Sequence, residues 1–147
     1  MDHGQTQQVN ILAIPIEALH YVIDEASYDI QRAIDKYDSY DTIDDVIDKL
    51  KKSEAQLWIG TDDEKIPEIY AITEVHQLNH SKRLVVTLVG GINGKKYIDP
   101  FLSKLKDHAK LNHCDHLVCY VRPGWERIGH LKTKGFKKMY SAIKIEV

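Results

Sequence analysis

The chain has 147 residues, long enough for one domain with a substantial core and too short to favour two domains. Hydrophobic residues make up 43% of it and charged residues 29%, a globular composition that argues against disorder, and no apolar run approaches the roughly 20 residues of a membrane span. The net charge of −2 combines an acidic segment, residues 1–64 with 15 acidic and 5 basic side chains, and a basic segment, residues 65–147 with 7 and 15.

The basic segment leaves two interpretations open. It binds a phosphate-bearing ligand or an acidic protein surface, or the two segments attract each other within a dipolar domain. Nucleic acid is disfavoured as a partner, since no RNA-binding signature or helix-turn-helix spacing accompanies the pI of about 6.4. The start MDHGQTQQ lacks the layout of a signal peptide, and the two cysteines, Cys114 and Cys119, suit a reduced chain. We therefore expect a cytoplasmic protein.

The first third of the chain predicts a strand followed by two helices. Residues 9–14 (VNILAI) form a short apolar run, and Pro15 suits the opening of a helix. Apolar residues then recur at spacings of three and four, at Leu19, Val22, Ile23, Ala26, Ile30, Ala33 and Ile34. Asp41 or Thr42 is a candidate N-cap for a second amphipathic helix with an acidic exposed face.

Three β-rich runs come next: QLWIG, IYAITEVHQL and LVVTLVG. Short polar turns separate them, so they predict an antiparallel meander. Residues 85–96 (VVTLVGGINGKK) leave the third run through three glycines and two lysines, which suits either a phosphate-binding loop or a simple bend. A long helix, the strand HLVCYV, a short helix ended by Gly135 and a closing strand FKKMYSAIKIEV complete the order β-α-α-β-β-β-α-β-α-β.

This order and three of its segments resemble the GNAT superfamily of acyl-CoA-dependent N-acyltransferases. The segments are RLVVTLVGG, YIDPFLSKLKDHAKLNHCDHLVCYV and LKTKGFKKMY, the last carrying the family's Gly-Phe step at Gly135 and Phe136. The resemblance implies one α+β domain over residues 1–147, with a mostly antiparallel central sheet that splays between its fourth and fifth strands and is flanked by helices. The VGG strand end and the phrase RPGWER are also similar to GNAT-like proteins encoded by phages, some of them virion or assembly components.

The family's pyrophosphate-binding turn is degenerate in this sequence. Its pattern, Gln/Arg-x-x-Gly-x-Gly/Ala, falls on Asn93, Lys96 and Ile98, so every defining position departs. Lys95 and Lys96 are candidates to replace the lost backbone contacts as point charges on a phosphate. The resemblance implies that the acyl-CoA is held by residues 89–91 along the pantetheine arm and by residues 94–96 at the phosphates, namely Val89, Gly90, Gly91, Gly94, Lys95 and Lys96.

Two candidates stand in for the family's proton-transfer groups. The family's tyrosine position is Leu131, and an asparagine position after the fifth strand is Gly124. His130, next to the lost tyrosine, is a candidate acid or base, with a surface histidine as the simpler alternative. Glu74 is a candidate base acting through water, unless Ile72, Glu74 and His76 form a solvent-facing stripe.

No metal site is expected in the segment HCDHLVC. Zinc sites use two closely spaced ligand pairs, whereas strand alternation points Cys119 away from the face of His116. Cys119 is then a small buried hydrophobe.

Two functions follow from the resemblance. One is a GNAT-like N-acyltransferase that uses acetyl-CoA or another acyl-CoA and an amine acceptor. The other is a non-catalytic phage virion or assembly protein on the same fold, which acts through protein contacts in the host cytoplasm or the virion.

Overall fold

A five-stranded sheet in sequence order organises the part of the chain that the computed structural model describes, residues 8–37, 41–120, 131–139 and 145–147. Its strands are β1 (Asn10–Ile14), β2 (Gln56–Thr61), β3 (Pro67–Gln77), β4 (Lys82–Gly91) and β5 (His116–Cys119). The first four are antiparallel neighbours, and β5 lies parallel to β4. The predicted meander and the mixed, mostly antiparallel sheet are confirmed.

Helices cover both faces of the sheet. Helix α1 (Leu19–Tyr37) and α2 (Ile43–Lys51) bury their apolar stripes on one face, while α3 (Ile98–Leu111) packs on the other. The first core includes the buried residues Ala26, Ile30, Val46, Leu50, Leu57, Ile72 and Leu88. The second includes Trp58, Ile69, Leu84, Val86, Tyr97, Phe101 and Leu105. Burial of these two apolar surfaces is the main force that holds the layers together.

The helix starts follow the sequence closely. Thr42 is the N-cap of α2: its hydroxyl accepts a hydrogen bond from the Asp45 backbone N–H at 3.2 Å, and its own N–H donates to the Asp45 carboxylate at 2.9 Å. This capping box satisfies two donors that a helix start leaves without partners. Pro15 precedes a 3-10 turn, Ile16–Ala18, that leads into α1.

The predicted end of the domain is described only in part. Leu131–Lys134 form a 3-10 helix that ends at Gly135, whose φ is 97°. The Gly135 N–H donates to the Lys132 carbonyl and the Phe136 N–H to the Leu131 carbonyl, the bonding of a Schellman motif. The helix end at Gly135 is confirmed. Residues 136–139, at the start of the predicted closing strand, are instead irregular because their chain first completes this motif, and residues 140–144 lie outside the described ranges.

None of the helices in the described ranges combines the length and the hydrophobicity that crossing a bilayer requires.

Candidate functional site at the edge of strand 4

Strand β5 pairs along its described length with the first half of β4. Their register runs from Arg83 opposite His116 to Val86 opposite Cys119, and the Tyr120 N–H adds a last bond to the Val86 carbonyl at 3.1 Å. Residues 88–91 of β4 continue to pair with β3, and residues 87–91 have no β5 partner in the described part of the chain. An unpaired strand edge presents main-chain N–H and C=O groups to a ligand.

A β-bulge coincides with this point of divergence. Thr73 lies opposite Val86 and Ile72 opposite Leu88, so Thr87 is the extra residue of β4. Its hydroxyl donates to the Ile72 carbonyl at 3.3 Å. A bulge increases local twist and interrupts regular pairing, which changes the direction of the rest of β4.

The two glycines at the end of β4 are required by packing within the chain itself. A Cβ on Gly90 would lie 2.7 Å from the Asp29 carbonyl oxygen, because α1 crosses the strand closely there. Gly91 has a φ of 123°, and a Cβ on it would meet the Glu68 carbonyl oxygen and lie 2.7 Å from the Ile69 Cα. These contacts explain both glycines without a ligand.

Side chains of the turn that follows β4 bind the carboxylate of Glu68 in the same chain. Asn93 adopts the left-handed conformation, with a φ of 56°, and Gly94–Tyr97 form a 3-10 helix. The Glu68 carboxylate then accepts hydrogen bonds from the Asn93 amide and the Tyr97 hydroxyl, each at 2.6 Å, and pairs with the Lys96 ammonium at 2.6 Å. Three donors of the candidate phosphate turn thus converge on one internal anion.

The groups around Glu68 strongly favour its ionised form. Hydrogen bonds from Lys96, Tyr97 and Asn93 lower the pKa of Glu68 to about 2. Burial, with the neighbouring Glu68 charge, raises the pKa of the Tyr97 hydroxyl, whose ring is fully buried. Lys96 keeps only 29% of its side chain exposed. Glu68 therefore remains ionised, and Lys96 stays its partner.

Charges at the start of α3 are largely paired as well. Asp99 lies in the first helical turn, and its carboxylate pairs with the Lys134 ammonium at 2.5 Å. Lys95 is exposed, and no ion pair involves it in the ranges that the structure describes. Of the two candidate phosphate-binding lysines, the structure leaves Lys95 accessible and gives Lys96 a partner.

Glu74 lies in a separate charge cluster on the face covered by α1 and α2. Its carboxylate pairs with the Lys49 ammonium at 3.2 Å and contacts His76 Nε2 at 3.0 Å, and its side chain is 15% exposed. Burial alone lowers the pKa of Lys49, but the hydrogen bonds and charges of Glu74 and Asp41 outweigh burial and raise it. The predicted alternation of Ile72, Glu74 and His76 is confirmed, but Glu74 is partnered rather than solvated.

The structure does not bring Glu74 to the glycine turn. Glu74 lies opposite Val85 in β4, and Gly90 is five residues further along that strand, or roughly 17 Å at about 3.3 Å per residue. Glu74 lies on β3, the neighbour of β4, close to Val86, the last β4 residue that pairs with a described residue of β5. His130 and the segment RPGWER fall outside the described residues; the neighbouring Leu131 is buried.

A cavity of about 430 Å³ lies away from the β4 edge, beyond the ends of β1 and β2. Apolar side chains such as Leu19, Leu50 and Leu57 line it together with Glu74 and His108. Burial lowers the pKa of His108, whose ring meets Trp58 edge to face at 5.0 Å. Among the candidate site residues that the structure describes, Glu74 alone lines this cavity.

No group of three or more potential metal ligands occurs among the residues that can be described. Leu117 and Cys119 pack on the α3 side of β5, so Cys119 faces away from His116 as expected. Burial raises the pKa of the Cys119 thiol to about 11, which makes it a poor thiolate ligand or nucleophile.

Sequence reasoning missed Glu68, the residue that organises the turn. It belongs to the polar stretch TDDEKIPE, which predicts only a connection between strands. Its partners lie 25 to 29 positions further along the chain, so no local pattern reports them. The available signal is weak: an acidic residue that immediately precedes the apolar run beginning at Ile69.

The sheet order, the parallel β4–β5 pair and the helices on both faces are those of the GNAT superfamily of N-acyltransferases, and the chain has this fold. Among solved structures, it is similar to the aminoglycoside N-acetyltransferase AAC(6′)-Iy in complex with CoA, with a TM-score of 0.69 and 8% identity over 98% of this chain and 97% of that one. A predicted acetyltransferase from Clostridium acetobutylicum, solved with acetyl-CoA, has a TM-score of 0.66 and 10% identity over 95% and 96% of the two chains.

A ribosomal-protein-alanine N-acetyltransferase from Brucella melitensis biovar Abortus is also similar, with a TM-score of 0.63 and 15% identity over 95% of this chain and 99% of that one. By sequence, no protein-family profile and no curated protein matches the chain. The likeness is one of fold, and it confirms the mixed α+β architecture with a mostly antiparallel sheet that was expected from the sequence.

Proposed function

We propose that the chain is a GNAT-type N-acyltransferase that uses acetyl-CoA or another acyl-CoA. The observation that carries the proposal is the edge of β4 at residues 87–91, which lacks a β5 partner in the described part of the chain. Two structures of the same fold were solved with CoA or acetyl-CoA. In this chain the main-chain groups of that edge suit the amides of a pantetheine arm, which pairs with a strand edge as a peptide does.

The roles of the residues follow from their positions. Main-chain groups of Val89, Gly90 and Gly91 hold the pantetheine arm, and residues 94–96 face the phosphates, with Lys95 as the accessible cation. The acyl carbonyl then lies towards the bulge at Thr87. Glu74 is the carboxylate closest to this level on β3, next to β4.

Transfer proceeds by direct attack and needs no covalent enzyme intermediate. The acceptor nitrogen adds to the thioester carbonyl carbon, the C–N bond forms and the C–S bond breaks. Glu74 takes the proton lost by the nitrogen through a water molecule, and His130 returns a proton to the leaving thiolate. Both assignments are part of the proposal and are tested by substitution.

Binding is the first test, because it separates this function from a structural role. Calorimetry and thermal unfolding are recorded with acetyl-CoA and with CoA. Ligand at a hundredfold excess over Kd should stabilise the protein by about 2.7 kcal/mol. Lys95→Ala should reduce the stabilisation, while Lys110→Ala, at the other end of α3, should not. Absence of a shift at millimolar concentrations of both ligands would refute the proposal.

One observation favours the alternative, a non-catalytic module of the same fold that acts through protein contacts, as in a phage particle or its assembly. The Glu68 carboxylate occupies three donors of the turn that would otherwise face the phosphates. This alternative predicts no acyl-CoA binding and a stable complex with a virion or assembly protein encoded by a neighbouring gene. Pull-down of such a neighbour, together with a negative calorimetric titration, would establish it.

A further inference from the structure

The turn after β4 carries much less free positive charge than its two lysines suggest. Lys96 is paired with Glu68, and the acid at the start of α3, Asp99, is paired with Lys134. Each pair is close to neutral, so in the described part of the chain Lys95 is the remaining cation of the turn. One lysine suits a single phosphate group better than a diphosphate.

The position of Glu68 also opposes a larger anion. Its carboxylate lies 2.6 Å from each of three groups, the Asn93 amide, the Lys96 ammonium and the Tyr97 hydroxyl, and together they satisfy its two oxygens. A diphosphate approaching the same donors has to displace an ionised carboxylate and meets like charge at close range. The buried Tyr97 ring fixes the turn around Glu68, so the carboxylate cannot readily move away.

The β4 edge, in contrast, is independent of this cluster. Residues 87–91 have no β5 partner in the described part of the chain, and their main-chain groups suit the amides of pantetheine whether or not the phosphates are bound.

We propose that the chain recognises the S-acyl 4′-phosphopantetheine group, through the β4 edge and its single phosphate at Lys95, and that Glu68 excludes the 3′-phosphoadenosine 5′-phosphate part of CoA from recognition. This inference rests on the proposed acyltransferase function. The acyl donor is then an acyl-phosphopantetheine, a group that occurs both in free acyl-CoA and on the prosthetic arm of an acylated carrier protein.

The test is an affinity series on the full chain. Acetyl-CoA, acetyl-4′-phosphopantetheine and acetyl-pantetheine are titrated by calorimetry. We expect the first two to bind within about threefold of each other, and the third, which lacks the phosphate, to bind about tenfold more weakly, the loss expected for one charge-assisted contact. Acetyl-CoA binding tenfold or more tightly than acetyl-4′-phosphopantetheine would overturn the inference. Absence of binding by all three would instead refute the acyltransferase function itself.

A substitution tests the role of Glu68 directly. Glu68→Gln keeps the shape but removes the charge, which frees Lys96, so affinity for acetyl-CoA should rise about tenfold while that for acetyl-4′-phosphopantetheine stays within about twofold. Glu64→Gln, an exposed residue of the preceding turn, is the control and should change neither. Equal effects of the two variants would contradict the assignment.

A second measurement does not depend on the folding of the Glu68 variant. In the wild-type chain, the salt dependence of binding should be the same for acetyl-CoA and acetyl-4′-phosphopantetheine, because the extra phosphates make no contact. A steeper dependence for acetyl-CoA would count against the proposal. Tighter binding of an acetylated carrier protein than of free acetyl-4′-phosphopantetheine would identify a protein-borne arm as the source, and equal binding would identify the small molecule.

Discussion

The Tyr97 hydroxyl donates a 2.6 Å hydrogen bond to the Glu68 carboxylate, and this bond joins the β4–α3 turn to the start of β3. It also links folding to pH, because Glu68 has a pKa of about 2 in the folded chain against an ordinary value of 4.5. A depressed pKa stabilises the folded state fully above the unfolded value, and this stabilisation is lost as the pH falls from about 4.5 to about 2.

We therefore expect Glu68→Gln to flatten the pH dependence of the thermal midpoint in that acidic window. The difference between wild type and variant should be largest at neutral pH and shrink on acidification, since protonated Glu68 resembles glutamine. Glu64→Gln, which lies outside the cluster, should run parallel to wild type. A constant difference between wild type and Glu68→Gln from pH 7 to pH 2.5 would contradict the depressed pKa.

Gly91 and Gly135, both described with a positive φ, form a matched pair for testing close packing at the end of β4. Gly91→Ala combines backbone strain with a contact between the new Cβ and β3, whereas Gly135→Ala has strain alone because no atom of the described residues lies within 4 Å. We expect Gly135→Ala to cost about 1 kcal/mol of unfolding free energy and Gly91→Ala about 3 kcal/mol or more. Urea unfolding measures both, and equal losses would show that β3 does not constrain Gly91.

A buried hydrogen bond between β2 and β3 supplies a third prediction. Trp58 Nε1 donates to the Thr73 hydroxyl at 2.9 Å, and both residues are buried. Thr73→Val keeps the volume but leaves the indole N–H without its acceptor, so it should cost about 1–3 kcal/mol. Thr73→Ser keeps the acceptor and should cost about 1 kcal/mol, for the lost methyl group. If the valine variant is as stable as the serine variant, the hydrogen bond contributes little.

Most of the fold could be predicted because the interactions that define its helices and strands join residues that are close in sequence. The three-and-four spacing of apolar residues gives α1, the Thr42 capping box starts α2, and Gly135 ends the last described helix. Each depends on residues within a few positions of one another. The same holds for the alternation that places Glu74 and His76 on one face of β3.

The candidate site was less predictable because its causes are distant in the sequence. The glycines at the end of β4 suggest a phosphate loop, yet Gly90 is constrained by Asp29 in α1 and Gly91 by Glu68 and Ile69 in β3. The sequence around Lys96 indicates a free cation, whereas in the structure Lys96 is paired with Glu68. The sequence shows that a loop is glycine-rich and basic. Only the tertiary contacts show which of its groups already bind other residues of the chain.

Glu74 provides the kinetic prediction for the proposed activity. If it accepts the proton of the acceptor amine, Glu74→Gln should lower kcat by about a hundredfold, the usual contribution of a general base, and leave the KM for acetyl-CoA nearly unchanged. Two controls separate catalysis from structure: Glu54→Gln, an exposed residue at the same cavity, and Lys49→Met, which breaks the ion pair but keeps the carboxylate. Both should retain kcat within a few-fold, whereas a loss in Lys49→Met equal to that in Glu74→Gln would assign Glu74 to stability rather than to proton transfer.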